Sequence, residues 1–225
     1  MISVIQPSRG RPDKAYANWQ SWFINKFYEI DWILSLDEDD TAPYNSYFDT
    51  TPIRIIRNKN RSAVDAINNA AKLAKFDILM VVSDDTNVGY ANWDNMIAEV
   101  VKGKTDWILK TQDGIQPWII TMPVMDRAYF NRTGNIYDPD FKHMFCDTWL
   151  TVQADISGRK ITSSLVFKHY NELFKDDVRK RSDATWQQGE QTFIQKIRQL
   201  TIGDLKKIED VSMRNWIRNK TGIRA

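Results

Sequence analysis

Residues 77–85 read Asp-Ile-Leu-Met-Val-Val-Ser-Asp-Asp, an almost unbroken apolar run closed by two adjacent carboxylates. No other stretch constrains the fold as much. A strand with one wet face alternates apolar and polar side chains. An unalternating run belongs to a strand covered on both faces, as in a parallel sheet under helices. The ending adds a chemical question, because neighbouring carboxylates repel and each is harder to ionise beside the other. Asp84–Asp85 is therefore either a solvated turn or a site that gains from holding both.

The rest of the chain supplies the helices such a strand needs. Ile2–Ile5 is a short strand leading into a loop with Pro7 and Gly10, and Lys14–Phe27 has apolar residues at helical spacing. Trp32–Leu36 is a strand stopped by Asp37-Glu-Asp-Asp40, residues 41–52 are loop-like, and Ile53–Ile56 is a strand. Arg61–Lys75, rich in Ala, is expected to be helical. Beyond the acid pair the pattern predicts a helix over Asn92–Lys102 and strands over Asp106–Lys110 and Trp118–Met122. Helices near Met125–Arg132 and Asp147–Ile156 follow, with a loop at 133–145 between them, then a strand over Ile161–Phe167. Residues 171–189 form a polar stretch, with one or two helices after it. Strands alternating with helices argue for an α/β layered sheet. Ligands bind such sheets beyond the carboxyl ends of the strands, and both acid clusters lie there.

Composition bounds the function. The 225 residues are 42% hydrophobic and 27% charged, enough for one sizeable core. Lys and Arg number 31 against 29 Asp and Glu, and this +2 balance argues neither for nor against a nucleic-acid partner. A single cysteine, Cys146, excludes an internal disulfide framework and a cysteine-rich zinc site. No GxGxxG, GxxxxGK[ST] or HExxH motif is present, and neither His143 nor His169 has a second His at ligand spacing. No basic region precedes the apolar start, and no stretch approaches the ~20 apolar residues of a membrane span. A soluble, cytoplasmic protein is expected.

Asp84–Asp85 could share a divalent cation that in turn holds phosphate oxygens. Asp37, ending its strand in the same way, could accept hydrogen bonds from a nucleobase. A sugar transferase, a nucleotidyltransferase or metal nuclease, and a non-catalytic nucleotide- or carbohydrate-binding module all fit these features.

The order of elements is more specific than any one motif. A helix with central Ala and Asn leads to the buried strand and Ser83-Asp84-Asp85. Tyr129-Phe-Asn-Arg-Thr-Gly134 is followed by the acidic loop Asp138–Asp140. Asp147 opens a helix ending at Gly158-Arg-Lys160, and the next strand ends in His169. Over residues 1–170 this succession resembles the GT-A, family-2-like glycosyltransferases, which use nucleotide-activated sugars.

The resemblance implies a mainly parallel central sheet flanked by helices over 1–170, with 171–225 as a helical extension packed on it. It implies metal-dependent, inverting transfer of a sugar from a nucleotide-diphosphate donor, a UDP-sugar first, to an acceptor hydroxyl. Pro7, Arg9 and Asp37 would hold the nucleoside, Arg61 the base or phosphate, and Asp84 the ribose or a metal-bound water. Asp85 and His169 would ligate Mn2+ or Mg2+, and Asp147 would be the general base. The acceptor would be a carbohydrate, a lipid-linked molecule or another hydroxyl compound. The basic tail from Arg214 to Arg224 offers Val211, Met213, Trp216 and Ile217 for burial against the core or a second copy of the chain, or for peripheral contact with an anionic membrane.

Overall fold

The computed structural model describes residues 1–170 and 176–223. Among them are eight strands: β1 (Ile2–Ser8), β2 (Ile30–Asp37), β3 (Ile53–Asn58), β4 (Ile78–Val81), β5 (Thr86–Val88), β6 (Ile108–Gln112), β7 (Val124–Asp126) and β8 (Lys160–His169). They form one sheet in the order β3-β2-β1-β4-β7-β6-β8-β5. The first four are mutually parallel, β6 and β8 are parallel, and β7 and β5 pair antiparallel with their neighbours. Chain order reverses between β1 and β4, so the loops after these two strands diverge and leave a crevice at the carboxyl edge.

The helices are α1 (Pro12–Ile24), α2 (Tyr44–Phe48), α3 (Ala63–Ala71), α4 (Trp93–Val101), α5 (Arg127–Thr133) and α6 (Cys146–Ser157). A C-terminal group follows: α7 (Asp177–Asp183), α8 (Trp186–Ile197), α9 (Ile202–Lys206) and α10 (Val211–Thr221). Local chemistry sets their limits. Pro12 stands in the first turn of α1, where a missing N–H costs nothing. Ser62 caps α3 through Asp65 N, and Asp126 caps α5 through Tyr129 N. Gly134 and Gly158, at φ 68° and 65°, end α5 and α6 in the left-handed region.

Each face of the sheet has its own core. On one, Ile2, Val4, Met80 and Val82 pack against Trp19 and Trp22 of α1 and Trp93 of α4. On the other, Ile5, Leu79 and Val81 meet α3, α5 and α6. Alternation along β1 therefore carries Gln6 and Ser8 to the α1 face, and the parity of Met80 and Val82 carries Asp84 there too. Phe193 and Ile197 of α8, Leu205 of α9, and Met213 and Ile217 of α10 are buried in the same cluster as Trp149 and Leu150 of α6.

Several details differ from the sequence pattern: β5 and β7 are short strands it did not indicate, and the helix expected near Met125–Arg132 begins only at Arg127, after β7. Residues 118–122 are buried in part but form no strand. Pro117 and Pro123 bracket them, and Ile120 N is satisfied by the Thr151 hydroxyl at 2.9 Å rather than by a ladder. The loop at 41–52 contains α2, whose Tyr44 and Phe48, four apart, are both buried. Among the described residues the stretch read as polar, 171–189, contains α7 and the start of α8, and three helices, α8 to α10, run on where one or two were expected. The apolar side of α10, through Met213 and Ile217, is spent on the core; Arg224 lies outside the described residues, as do 171–175 of the polar stretch. No helix among the described residues is long and apolar enough to cross a membrane.

Candidate functional site

Asp84 emerges from β4 into a cage built by β1. Gln6 Nε2 donates to its Oδ1 at 2.9 Å and Ser8 Oγ to its Oδ2 at 2.8 Å. Because Ser8 gives its proton to the carboxylate, it accepts from Tyr44 OH at 2.9 Å, and Tyr44 in turn accepts from Arg11 N at 3.2 Å. A directed chain of hydrogen bonds thus runs from the β1–α1 loop into Asp84. Burial pushes the Asp84 carboxyl up to about 7, against the opposing pull of these hydrogen bonds.

Asp85 turns the other way, to β8. The pairing of Thr86 with His169 brings the end of β8 beside the acid pair. His169 Nε2 lies 3.1 Å from Asp85 Oδ1, Ser83 Oγ donates to the same oxygen at 2.5 Å, and Tyr170 N donates to the Asp85 carbonyl at 2.7 Å. Burial alone would raise the Asp85 carboxyl; His169 and Ser83 outweigh it and hold the group below its ordinary value. His169 shows the mirror effect: burial pulls it down, but Asp85, with the fields of Asp113 and Asp147, leaves it raised. Asp113 is 2% exposed, and its carbonyl accepts from His169 N at 3.1 Å.

Pro7 pairs with Ser35 of β2 at the same edge. Arg9 forks onto Asp39 at 2.7 and 2.8 Å and also binds Asp37, whose other oxygen accepts from Asn60 at 2.9 Å. Both Asp37 oxygens keep a lone pair for a ligand. Arg61 is not brought to this group. Its side chain is 81% exposed and folds back onto Asp65, one helical turn on.

Asp147 occupies the first turn of α6. Its Oδ1 accepts from Thr148 N at 2.7 Å. Burial raises its carboxyl, and the field of His169 opposes the rise, which places the two groups within electrostatic reach. Phe145, just before α6, has φ 70°. For a bulky residue this conformation costs on the order of 1–2 kcal/mol. The C-terminal helices hold it there: the Phe145 ring lies 5.0 Å from Trp186, 5.9 Å from Phe193 and 5.9 Å from Trp216. Thr185 Oγ1 accepts from Met144 N at 3.2 Å, and α8 approaches so closely that a Cβ on Gly189 would stand 2.3 Å from the Met144 carbonyl oxygen.

Sequence reasoning missed Gln6, Ser8, Tyr44 and His143. A glutamine and a serine alternating in an otherwise apolar strand were a readable signal for the first two. His143 had none, yet its imidazole sits within electrostatic reach of Asp85 and His169.

Among the described residues no three His, Cys, Asp or Glu side chains converge into a metal cage. Asp85 with His169 is a two-member donor set. Carboxylate plus imidazole suits Mn2+ or Mg2+ when ligand oxygens and water supply the remaining positions, so the residues present fit such an ion.

No family model and no curated protein matches the sequence. Solved structures do. A mannosyltransferase from Pyrobaculum calidifontis, solved with GDP-Man and Mn2+, aligns with TM-score 0.70 and 13% identity over 98% of this chain and 72% of its own. TarS of S. aureus aligns at 0.62 and 12% over 98% and 70%. Glucosyl-3-phosphoglycerate synthase from Mycobacterium tuberculosis, solved with Mn2+, UDP and phosphoglyceric acid, aligns at 0.56 and 10% over 75% and 70%. The chain has the GT-A glycosyltransferase fold.

Proposed function

We propose that this GT-A chain is a metal-dependent, inverting glycosyltransferase, with a nucleotide-diphosphate sugar as donor and a hydroxyl compound as acceptor. One observation carries the reading. Asp37, Asp84 and the Asp85–His169 pair lie at the carboxyl ends of β2, β4 and β8, along one edge of the sheet, and Asp147 opens a helix within the electrostatic field of His169.

The roles follow from the chemistry of each group. Asp37, an acceptor pinned by Arg9 and Asn60, faces the base, and Pro7 and Arg9 form the floor beneath the nucleoside. Asp84, fixed by Gln6 and Ser8, receives the ribose hydroxyls. Asp85 and His169 would hold Mn2+ or Mg2+, which when bound offsets negative charge gathering on the diphosphate. Asp147 takes the proton of the acceptor hydroxyl while that oxygen bonds to the anomeric carbon. The anomeric bond to the diphosphate breaks on the opposite face, and its electron pair leaves with the nucleoside diphosphate. Burial, by raising the Asp147 carboxyl, makes it a better base than an exposed carboxylate. Arg61, paired with Asp65 outside this group, is left in its sequence-assigned role only if donor binding draws it in.

Structural neighbours were solved with GDP-Man and with UDP, so both nucleotides belong in the test. Thermal stabilisation by a nucleoside diphosphate that requires Mn2+ or Mg2+, together with release of that diphosphate when sugar donor and acceptor are supplied, supports the reading. Binding without turnover on any acceptor would leave a nucleotide-binding module. Absence of metal-linked nucleotide binding would remove the transferase assignment.

A further inference from the structure

The last two helices enclose a hollow that the core does not fill. Leu205 of α9, Ile208 just beyond it and Ile217 of α10 are buried, and together they line a cavity of about 200 Å3. Val211, 58% exposed, and Ile223 extend the apolar lining. Gly222, at φ 74°, ends α10 in the left-handed region, and Ile223 follows it at the cavity. An engineered cavity of about 150 Å3 with such a lining takes up benzene. There is room here for a ring or a short alkyl chain.

All the charge in the lining is positive. Arg214, Asn215 and Arg218 line the cavity with Val211, and their spacing of i, i+3, i+4 and i+7 sets the four in one stripe along α10. Arg214 gives one hydrogen bond, from Nη1 to the Ile208 carbonyl at 2.7 Å, and the rest of its fork has no partner among the described residues. The exposed Arg218 guanidinium has none at all among them. The nearby acids are committed elsewhere: Asp204 to Thr201 and Lys207, Glu209 to Lys160, and Asp210 to the cap at Met213 N. Guanidinium forks hold carboxylate or phosphate oxygens, and an apolar hollow holds a hydrocarbon. The two meet here in one cavity.

We propose that this cavity binds a small amphipathic anion, a carboxylate or phosphate carried on an apolar stem of ring or short-chain size. Arg214 and Arg218 hold the head, and Leu205, Ile208 and Ile217 enclose the stem. None of the lining residues lies on a strand or in the group around Asp84 and Asp85, so the site is independent of the transferase reading. It also differs from a flat contact with a charged surface, because stem and head are both recognised. A free organic anion and the end of an anionic lipid share this chemistry, and the probes below separate them.

The test is titration calorimetry on the full chain with octanoate, hexyl phosphate, inorganic phosphate and 1-octanol. Vesicles of phosphatidylcholine and phosphatidylglycerol are sedimented with the same samples. Octanoate or hexyl phosphate is expected to bind at least about tenfold tighter than inorganic phosphate, which lacks the stem, and octanol, which lacks the charge. Arg218→Gln removes the exposed cation. Val211→Glu puts a carboxylate at the cavity in the first turn of α10, where the helix dipole favours it. Each variant is expected to weaken binding by about tenfold with no fall in melting temperature. Binding unchanged in both variants overturns the site, as does octanol matching octanoate, inorganic phosphate matching hexyl phosphate, or no binding of either amphiphile. Vesicle sedimentation without binding of either soluble amphiphile overturns it too, in favour of a surface contact with lipid. Amphiphile binding accompanied by sedimentation upholds the site with lipid as its source, and amphiphile binding alone upholds it with a free anion.

Discussion

Gln6 of β1 ties β2 to the turn after β4 through one amide: Nε2 donates to Asp84 Oδ1 at 2.9 Å while Oε1 accepts from Trp32 Nε1 at 3.0 Å. Gln6 and Trp32 are both buried, so the indole N–H has no water to fall back on. Gln6→Leu keeps the volume but strands that N–H and takes from Asp84 one of its two side-chain hydrogen bonds. A loss of about 1–3 kcal/mol is expected in urea melts, with weaker nucleoside diphosphate binding because Asp84 loses one of its two anchors.

Asp147→Asn removes the proposed base and leaves the strand-edge carboxylates untouched. Sugar transfer is expected to fall by roughly 10²- to 10⁴-fold, with the Mn2+-dependent affinity for nucleoside diphosphate unchanged in calorimetry. Asp85→Asn and His169→Ala are expected to do the reverse at the binding step, abolishing the metal-dependent part of the thermal shift. Equal loss of nucleotide binding in all three variants would contradict the division of roles.

Gly189 has room for a hydrogen and nothing larger on the side facing Met144. Gly189→Ala must push α8 away from the residues that position Asp147. Such overpacking costs about 1–3 kcal/mol. The expected signature is a lower melting temperature together with a fall in kcat, while nucleotide affinity is retained. A silent substitution would show that α8 does not hold residues 143–145 as described.

Asp31 supplies an acid-sensitive element far from the site. Burial alone would raise its carboxyl, but the Arg54 fork at 2.8 and 2.7 Å, Lys75 N at 3.0 Å and Ser3 Oγ at 2.9 Å outweigh it and keep the group below its ordinary value of 3.8. A carboxyl lowered on folding stabilises the protein above its unfolded value, and that stability is lost as pH falls through the folded value. Asp31→Asn is expected to lower stability at neutral pH and to flatten its decline below about pH 4, read from denaturant midpoints across the acid range.

The pattern of apolar strands was legible because a covered parallel strand leaves a plain mark in the chain. The run before Asp84 and the acid stop after Leu36 place two carboxylates at one sheet edge from the sequence alone. Residues 118–122 misled for a physical reason: burial and pairing are separate conditions, and prolines at 117 and 123 allow the first without the second. The cage around Asp84 was hidden because a buried glutamine becomes informative only when its partners, on β2 and after β4, are known. The C-terminal helices looked polar because α7 buries no residue and α8, α9 and α10 each bury only a narrow face, as with Phe193 and Ile197 on α8. The placement of His143 near His169 depends on how α6 enters the molecule, which no local spacing encodes.

Asp85 and His169 are separated by 84 positions and are brought together by the three-residue pairing of β5 with β8 and the bond from Tyr170 N to the Asp85 carbonyl. During synthesis, β1 to β4 can therefore assemble on the ribosome well before the imidazole leaves the exit tunnel. The alignment of Asp147 waits longer still, for the turn of α8 that carries Gly189. A chain ending short of these points would hold its first four strands yet lack His169 and the helix turn that steadies the residues before Asp147, so the proposed centre is completed by segments far downstream of the strands that begin it.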